Sequence, residues 1–215
     1  MRDAGRLAAA IDVLSQIDER RRPVRMALKT WGEAARYAGA KDRAFVSGLV
    51  LDVLRRRRSL GWRMGDESLR AAALGALRLL WHWPLERVAE AAGEEPHGPG
   101  PLTDGERAAL ENPRELADAP IPVRGDYPDW LDASMARAFG DDRAEQGAAL
   151  SERAPVDLRV NLLKSDPERT LKALTSLAAE PTDVLAPALR MPALDPPARS
   201  GAVETIPQFS KGWFE

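Results

Sequence analysis

Asp42-Arg43-Ala44-Phe45-Val46-Ser47-Gly48-Leu49-Val50-Leu51-Asp52-Val53-Leu54-Arg55-Arg56-Arg57-Arg58 is the stretch that decides the fold class. Phe45, Val46, Leu49, Val50, Val53 and Leu54 fall into two adjoining rows at i, i+4 spacing, which predicts a helix over 42–58 with a wide apolar stripe on a core. Asp42 stands at its N-terminal end and four arginines at its C-terminal end, and both placements suit the helix dipole. Upstream, Leu7, Ile11, Leu14 and Ile17 recur at helical spacing behind Asp3. Pro23 suits an early helical position, opening a second stretch through Met26, Ala27, Trp31 and Ala34 up to Gly39. Downstream, Leu69 to Trp81 is apolar almost all round, as a central helix is, and Pro84 interrupts it to begin a fifth through Leu85, Val88 and Ala92. Residues 1–92 therefore read as an α-helical domain.

Residues 93–126 read as a linker. Gly93 to Gly105 is rich in glycine and proline and has no period, a short helix is expected near Glu106–Leu110, and 113–128 is rich in turn residues. The segment 127–215 starts with an amphipathic helix (Trp130, Leu131, Met135, Phe139) closed by Gly140, and a second helix is expected over Ala144–Leu150. After Pro155 the period changes to two: Leu158, Val160 and Leu162 alternate with Arg159 and Asn161, the pattern of a half-buried strand. Ser165-Asp166-Pro167-Glu168 has the form of a capping box leading a helix through Leu171, Leu174 and Leu177. Val184–Met191 and Trp213-Phe214 are expected to add strands, giving a small α/β unit from about residue 155. The apolar pair near the end of the sequence implies that further chain follows it.

Of the 215 residues, 44% are hydrophobic and 30% charged, a globular balance. No apolar run of about 18 residues is present, so no membrane-spanning helix is expected. The first residues do not have the form of a secretory signal. The absence of cysteine excludes disulfides, thiolate metal sites and cysteine nucleophiles within this sequence, and it fits a cytoplasmic protein. The formal net charge of −2 conceals an asymmetry: residues 1–63 carry +8 and the remainder −10. A basic front of this kind points to a polyanion partner, against the plainer reading of solvated helix faces.

The basic constellation is Arg20, Arg21, Arg22, Arg25, Lys41, Arg43, Arg55, Arg56, Arg57 and Arg58. If Arg20–Arg22 close the first helix and Arg55–Arg58 the third, the two runs meet at one end of the bundle. Guanidinium groups match phosphate with a bidentate fork, so such a patch would anchor an RNA backbone in a salt-sensitive way. Trp31, Trp62, Trp81, Trp83 and Trp130 lie mostly on apolar helical stripes, so core packing is expected of them rather than base stacking. His82 and His97 have no partners at metal-ligand spacing, and no Gly-x-Gly-x-x-Gly turn follows a strand. No catalytic residues are read from the sequence.

Several segments in order resemble one family. Lys41–Val46 with Leu49–Arg58, then Leu74–Leu80 through Pro84 and Val88–Ala91, resemble the NusB-type helical domain. Tyr127-Pro128-Asp129-Trp130-Leu131, Phe139-Gly140, the run from Ala154 through Leu158-Arg159-Val160-Asn161 to Lys164, and Gly212-Trp213-Phe214 resemble the pre-catalytic region of the Sun/RsmB cytosine-5 RNA methyltransferases, with its small RRM-like domain. The resemblance implies a mainly α chain: a NusB-like bundle, a short helical connector and a partial α/β domain. It also implies an RNA-positioning role in an enzyme that methylates carbon 5 of a cytosine in small-subunit ribosomal RNA. Arg159 and Asn161 on the exposed strand join the expected RNA contacts. The family's S-adenosylmethionine site and cysteine nucleophile belong to a C-terminal methyltransferase domain that this sequence does not contain, so no cofactor is expected in this chain, while S-adenosylmethionine is expected for the parent enzyme. The chain departs from the family pattern after Gly93, where its Gly/Pro loop replaces helical sequence. A NusB-like antitermination module that binds RNA is the alternative, although the α/β segment after 155 argues against it. A protein-interaction scaffold is the third reading.

Overall fold

A computed structural model describes residues 1–198 and 203–215 and divides the chain into two compact units, Met1–Glu152 and Arg153–Glu215. The first unit is helical, running through α1 (Asp3–Arg20), α2 (Val24–Ala34), α3 (Ala40–Arg55), α4 (Arg57–Met64), α5 (Leu69–Gly75), α6 (Leu85–Gly93), α7 (Asp104–Glu111), α8 (Ile121–Arg124), α9 (Asp132–Phe139) and α10 (Arg143–Leu150). Leu7 and Leu14 of α1, Phe45 and Leu49 of α3, and Leu74 of α5 meet in one buried cluster, as the apolar rows require. Truncating a side chain there, Leu49→Ala for instance, costs about 2–5 kcal/mol.

The helix predicted over 42–58 breaks at Arg56, whose backbone (φ −120°, ψ 26°) leaves the helical region, and α4 starts at Arg57. A distant carboxylate accounts for the restart: Asp126 Oδ1 accepts the Ser59 amide at 2.8 Å, satisfying one of the free N–H groups of the first turn of α4. The central helix also departs from regularity. After Gly75 it widens into a π-helical turn over Ala76–Leu80, and the following Trp81 donates its Nε1 to buried Asp52 at 2.8 Å. Phe45 packs edge-on against Trp81, with ring centroids 4.8 Å apart.

Residues 93–126, expected as a linker, lie within the helical unit. Leu110 is buried in the main core and Leu102 packs against it. Thr103-Asp104-Gly105-Glu106, where the aperiodic loop is expected to meet the short helix, forms a reciprocal cap: Thr103 Oγ1 accepts the Glu106 amide at 3.1 Å, and Glu106 Oε2 accepts the Thr103 amide at 2.9 Å. The anticipated short helix therefore begins earlier, at Asp104. Gly140 closes α9 with φ 58°, as expected.

The second unit holds β1 (Val156–Arg159), α11 (Pro167–Ala173), β2 (Glu180–Pro181), β3 (Ala188–Met191) and α12 (Pro207–Ser210). Its sheet is antiparallel in the order β1-β3-β2, with Leu158 opposite Leu189. Leu158, Leu174, Leu189, Met191 and Phe214 form its own core. Three expectations shift here. Asp166 rather than Ser165 caps α11, accepting the Arg169 amide at 2.8 Å. The strand expected over Val184–Met191 is β3 and starts only at Ala188, with Val184 80% exposed. Trp213-Phe214 supplies a single antiparallel bridge, Val160 to Phe214, instead of a strand.

Candidate nucleic-acid interface

Arg20 closes α1, and Arg21 follows in the left-handed conformation (φ 47°). That conformation turns the chain within two residues into Pro23 and α2. Arg20, Arg21, Arg22 and Arg25 thus crowd one short corner, exposed except for half-buried Arg22. Among the described residues none of the four makes a side-chain hydrogen bond or ion pair, so their full charge is available to an external anion.

The arginine run 55–58 does reach this corner, as the sequence implied. Arg57 on α4 clasps Asp18 in the last turns of α1 through two bonds of 2.7 and 3.3 Å. The Arg57 bond holds the Asp18 carboxyl below its ordinary range. The run is otherwise largely occupied by carboxylates of its own chain. Arg55 bonds Asp52 at 3.3 Å, and Arg56 faces Glu152 at 3.7 Å. Arg58 donates to the Tyr127 carbonyl at 2.6 Å and to Asp129 at 2.8 Å. Arg58 thereby fastens the 126–129 segment to the start of α4.

Lys41 and Arg43 do not join the corner. They sit at the N-terminal end of α3, roughly 20 Å of helix from Arg55. Arg43 serves its own turn, donating to the carbonyls of Ala38 (3.0 Å) and Ala35 (3.3 Å). Lys41 is exposed. In the second unit Arg159 is exposed but ion-paired with Glu215, and Asn161 is engaged on both sides, donating to the Gly212 carbonyl at 3.0 Å and accepting the Leu163 amide at 3.1 Å. The outer sheet face carries a bidentate Asp157–Arg190 pair at 2.6 and 2.7 Å.

The tryptophans divide. Trp81 and Trp83 are buried, and Trp31 and Trp62 are half-buried. Trp130 overturns the expectation of core packing, being 79% exposed. With Trp62, Arg57, Arg58, Glu67 and Pro128 it lines a groove of about 500 Å³ beside α4. Nothing local distinguishes Trp130 from a core residue. Its neighbours Leu131 and Met135 turn inward, and the short 3-10 turn Asp129–Leu131 puts Trp130 off their stripe.

Tyr127 anchors the connector from beneath. It is buried, its hydroxyl donates to Asp132 at 2.7 Å, and Arg143 reaches the same carboxylate oxygen at 3.0 Å. Burial and the Asp132 charge push the phenol up to about 12. Among the described residues no strand runs directly into a glycine-bearing turn.

Residues 127–193 match the family model for the ferredoxin-like domain of RsmF/B-like methyltransferases. No curated protein matches the chain. Among solved structures it is similar to the crystal structure of PH0851, with a TM-score of 0.53 at 15% identity, over 100% of this chain and 53% of that one. The chain thus spans about half the length of PH0851, and the likeness is one of fold. The family match begins at Tyr127, the buried anchor, and runs through β1 to β3. Residues 127–193 are thus similar to the ferredoxin-like domain of RsmF/B-like methyltransferases, and the likeness to PH0851 is one of fold.

Proposed function

We propose that this chain is the RNA-binding and substrate-positioning part of an S-adenosylmethionine-dependent ribosomal-RNA cytosine-5 methyltransferase, whose chemistry resides in a further C-terminal domain. The carrying observation is the corner formed by Arg20, Arg21, Arg22 and Arg25, where four guanidinium groups stand without internal counter-ions among the described residues. An RNA phosphate backbone of the small ribosomal subunit is the partner that fits, and the methyltransferase domain of the same protein would place its cytosine. The NusB-like antitermination reading shares the arginines but gives no role to the ferredoxin-like segment, so it is the weaker.

Fluorescence anisotropy with a small-subunit ribosomal-RNA fragment at two salt concentrations tests the proposal. Wild-type binding should weaken steeply with salt. Replacing Arg20, Arg21 and Arg22 with Gln should lower affinity and flatten that dependence by about 0.7 in slope for each phosphate no longer neutralised. These positions are better tests than Arg57 and Arg58, whose replacement would also release Asp18 and the 126–129 segment. Affinity unchanged in the triple variant, or no binding at low salt, would refute the assignment.

A further inference from the structure

We infer that the groove beside α4 receives one unpaired nucleobase of a single-stranded RNA, stacked on Trp130, while the neighbouring phosphates lie over Arg20–Arg22. The inference rests on the RNA reading of the same corner and adds the conformation and placement of the ligand.

Trp130 presents 79% of its surface to solvent at the mouth of the groove. Indole offers a large flat apolar face, and here it lines a groove together with a second indole, Trp62. Its place is fixed rather than floppy. Buried Tyr127 lies three residues before it, and the intervening Asp129 is held by Arg58 at 2.8 Å. Trp62 lines the groove as well, and its Nε1 is already satisfied by the Glu115 carbonyl at 3.0 Å. The ring is thereby left with stacking rather than hydrogen bonding to contribute.

Charge places the strand. Arg57 lines the groove and bonds Asp18 at 2.7 Å, and Arg20 is two residues beyond Asp18 in the same helix. The aromatic groove and the unpaired arginines therefore lie at the same end of the bundle, within reach of one extended strand. Stacking platforms beside a cationic track are how single strands are held without sequence readout, because every base has a π-face. A duplex buries those faces and cannot use the groove.

The experiment compares wild type, Trp130→Ala and Trp130→Phe for binding to a short labelled single-stranded RNA and to the same sequence as a duplex. Trp130→Ala should weaken single-strand binding about fivefold or more, the lower end of what one base–aromatic stack supplies, with the salt slope unchanged. Trp130→Phe keeps a stacking ring and should retain most of the affinity, while duplex binding should be the same in all three. Wild-type affinity in Trp130→Ala, an equal loss on duplex, or an equal loss in Trp130→Phe overturns the stacking site while salt-sensitive binding through the arginines stands. No RNA binding by wild type overturns both.

Discussion

Replacing Arg70 with Met tests whether the Gly/Pro-rich stretch after α6 is part of the helical unit or a loose connection. The guanidinium makes five hydrogen bonds: to Glu106 Oε1 (2.6 Å) and Oε2 (3.2 Å), and to the carbonyls of Pro99 (2.7 Å), Gly100 (2.9 Å) and Pro101 (2.9 Å). Met keeps most of the apolar stem and removes every one. The carbonyls lie near the surface and rehydrate, so their release is the smaller part. The Glu106 carboxylate is the larger, since the residue is only 9% exposed. Removing one member of a buried ion pair costs about 3–5 kcal/mol. Glu106 retains the Thr103 amide, which places the expected loss at the lower end, about 3 kcal/mol. For a unit of this size that corresponds to a fall of roughly 6–12 °C in Tm. Burial pushes the Glu106 carboxyl up, but the Arg70 and Thr103 bonds outweigh it and hold the group below its ordinary value. A depressed folded pKa stabilises above the unfolded value and is lost as pH falls through the folded one, so the deficit should shrink below about pH 4. Urea unfolding followed by far-ultraviolet circular dichroism, with Glu106→Gln and the double variant completing a cycle, measures both quantities. A loss under about 1 kcal/mol with additive singles would refute the tethering and restore the linker reading.

Two further substitutions probe the anchor of the connector. Asp126 has its Oδ1 on the Ser59 amide while its buried Oδ2 has no partner among the described residues, and burial raises its pKa against the opposing pull of Ser59 and Arg56. A raised folded pKa means stability present below the unfolded value near 3.9 and lost as pH rises through the folded one, so Asp126→Asn should gain on wild type between about pH 4 and 7. An identical stability difference at the two pH values would show that the carboxyl does not titrate in that window. Gly147 in α10 is packed so closely that a Cβ would stand 2.6 Å from the Gly125 carbonyl oxygen and 2.7 Å from Tyr127 Cδ1. Gly147→Ala should therefore destabilise by about 1–3 kcal/mol in thermal melts. Stabilisation by about 1 kcal/mol, as helix propensity alone gives, would contradict that packing.

Periodicity reaches the cores: the apolar rows of α1, α3 and α5 point at one cluster, and the alternation around Leu158 marks β1. Where sequence and structure part, the cause is shared, which is that a partner far away in sequence decides the local outcome. The break at Arg56 depends on Asp126, 67 residues from Ser59, and no propensity within 42–58 contains it. The stretch 93–126 has linker composition because its order comes from Arg70, 36 residues before Glu106. Strand alternation points Asn161 outward, toward a ligand, yet its amide holds the Gly212 turn 51 residues on. The helix start at Asp104 is different, because Thr103 and Glu106 stand at capping-box spacing and the signal is local and legible.

The arginines carry the same lesson into function, in a form that can be measured. A tally of like charges says nothing of where the counter-charges fold. The front of the chain is basic by +8 in sequence, yet Glu94, Asp129 and Glu152 from the acidic back each approach one of its arginines. Of the ten cations that read as one patch in the first 63 residues, the fold leaves Arg20, Arg21, Arg22 and Arg25 together and without ion pairs among the described residues, sets Lys41 and Arg43 at the far end of α3, and commits the 55–58 run largely to internal partners. The two pictures give different salt slopes. Each phosphate neutralised on a single strand contributes about −0.7 to the dependence of log K on log salt, so ten imply about −7 and four about −3. A slope near −3 matches neutralisation by the four unpaired arginines of the α1–α2 corner. A slope near −7 would mean that RNA displaces Asp18, Asp129 and Glu152 from their arginines, so that binding would have to open the junction between α3 and α4.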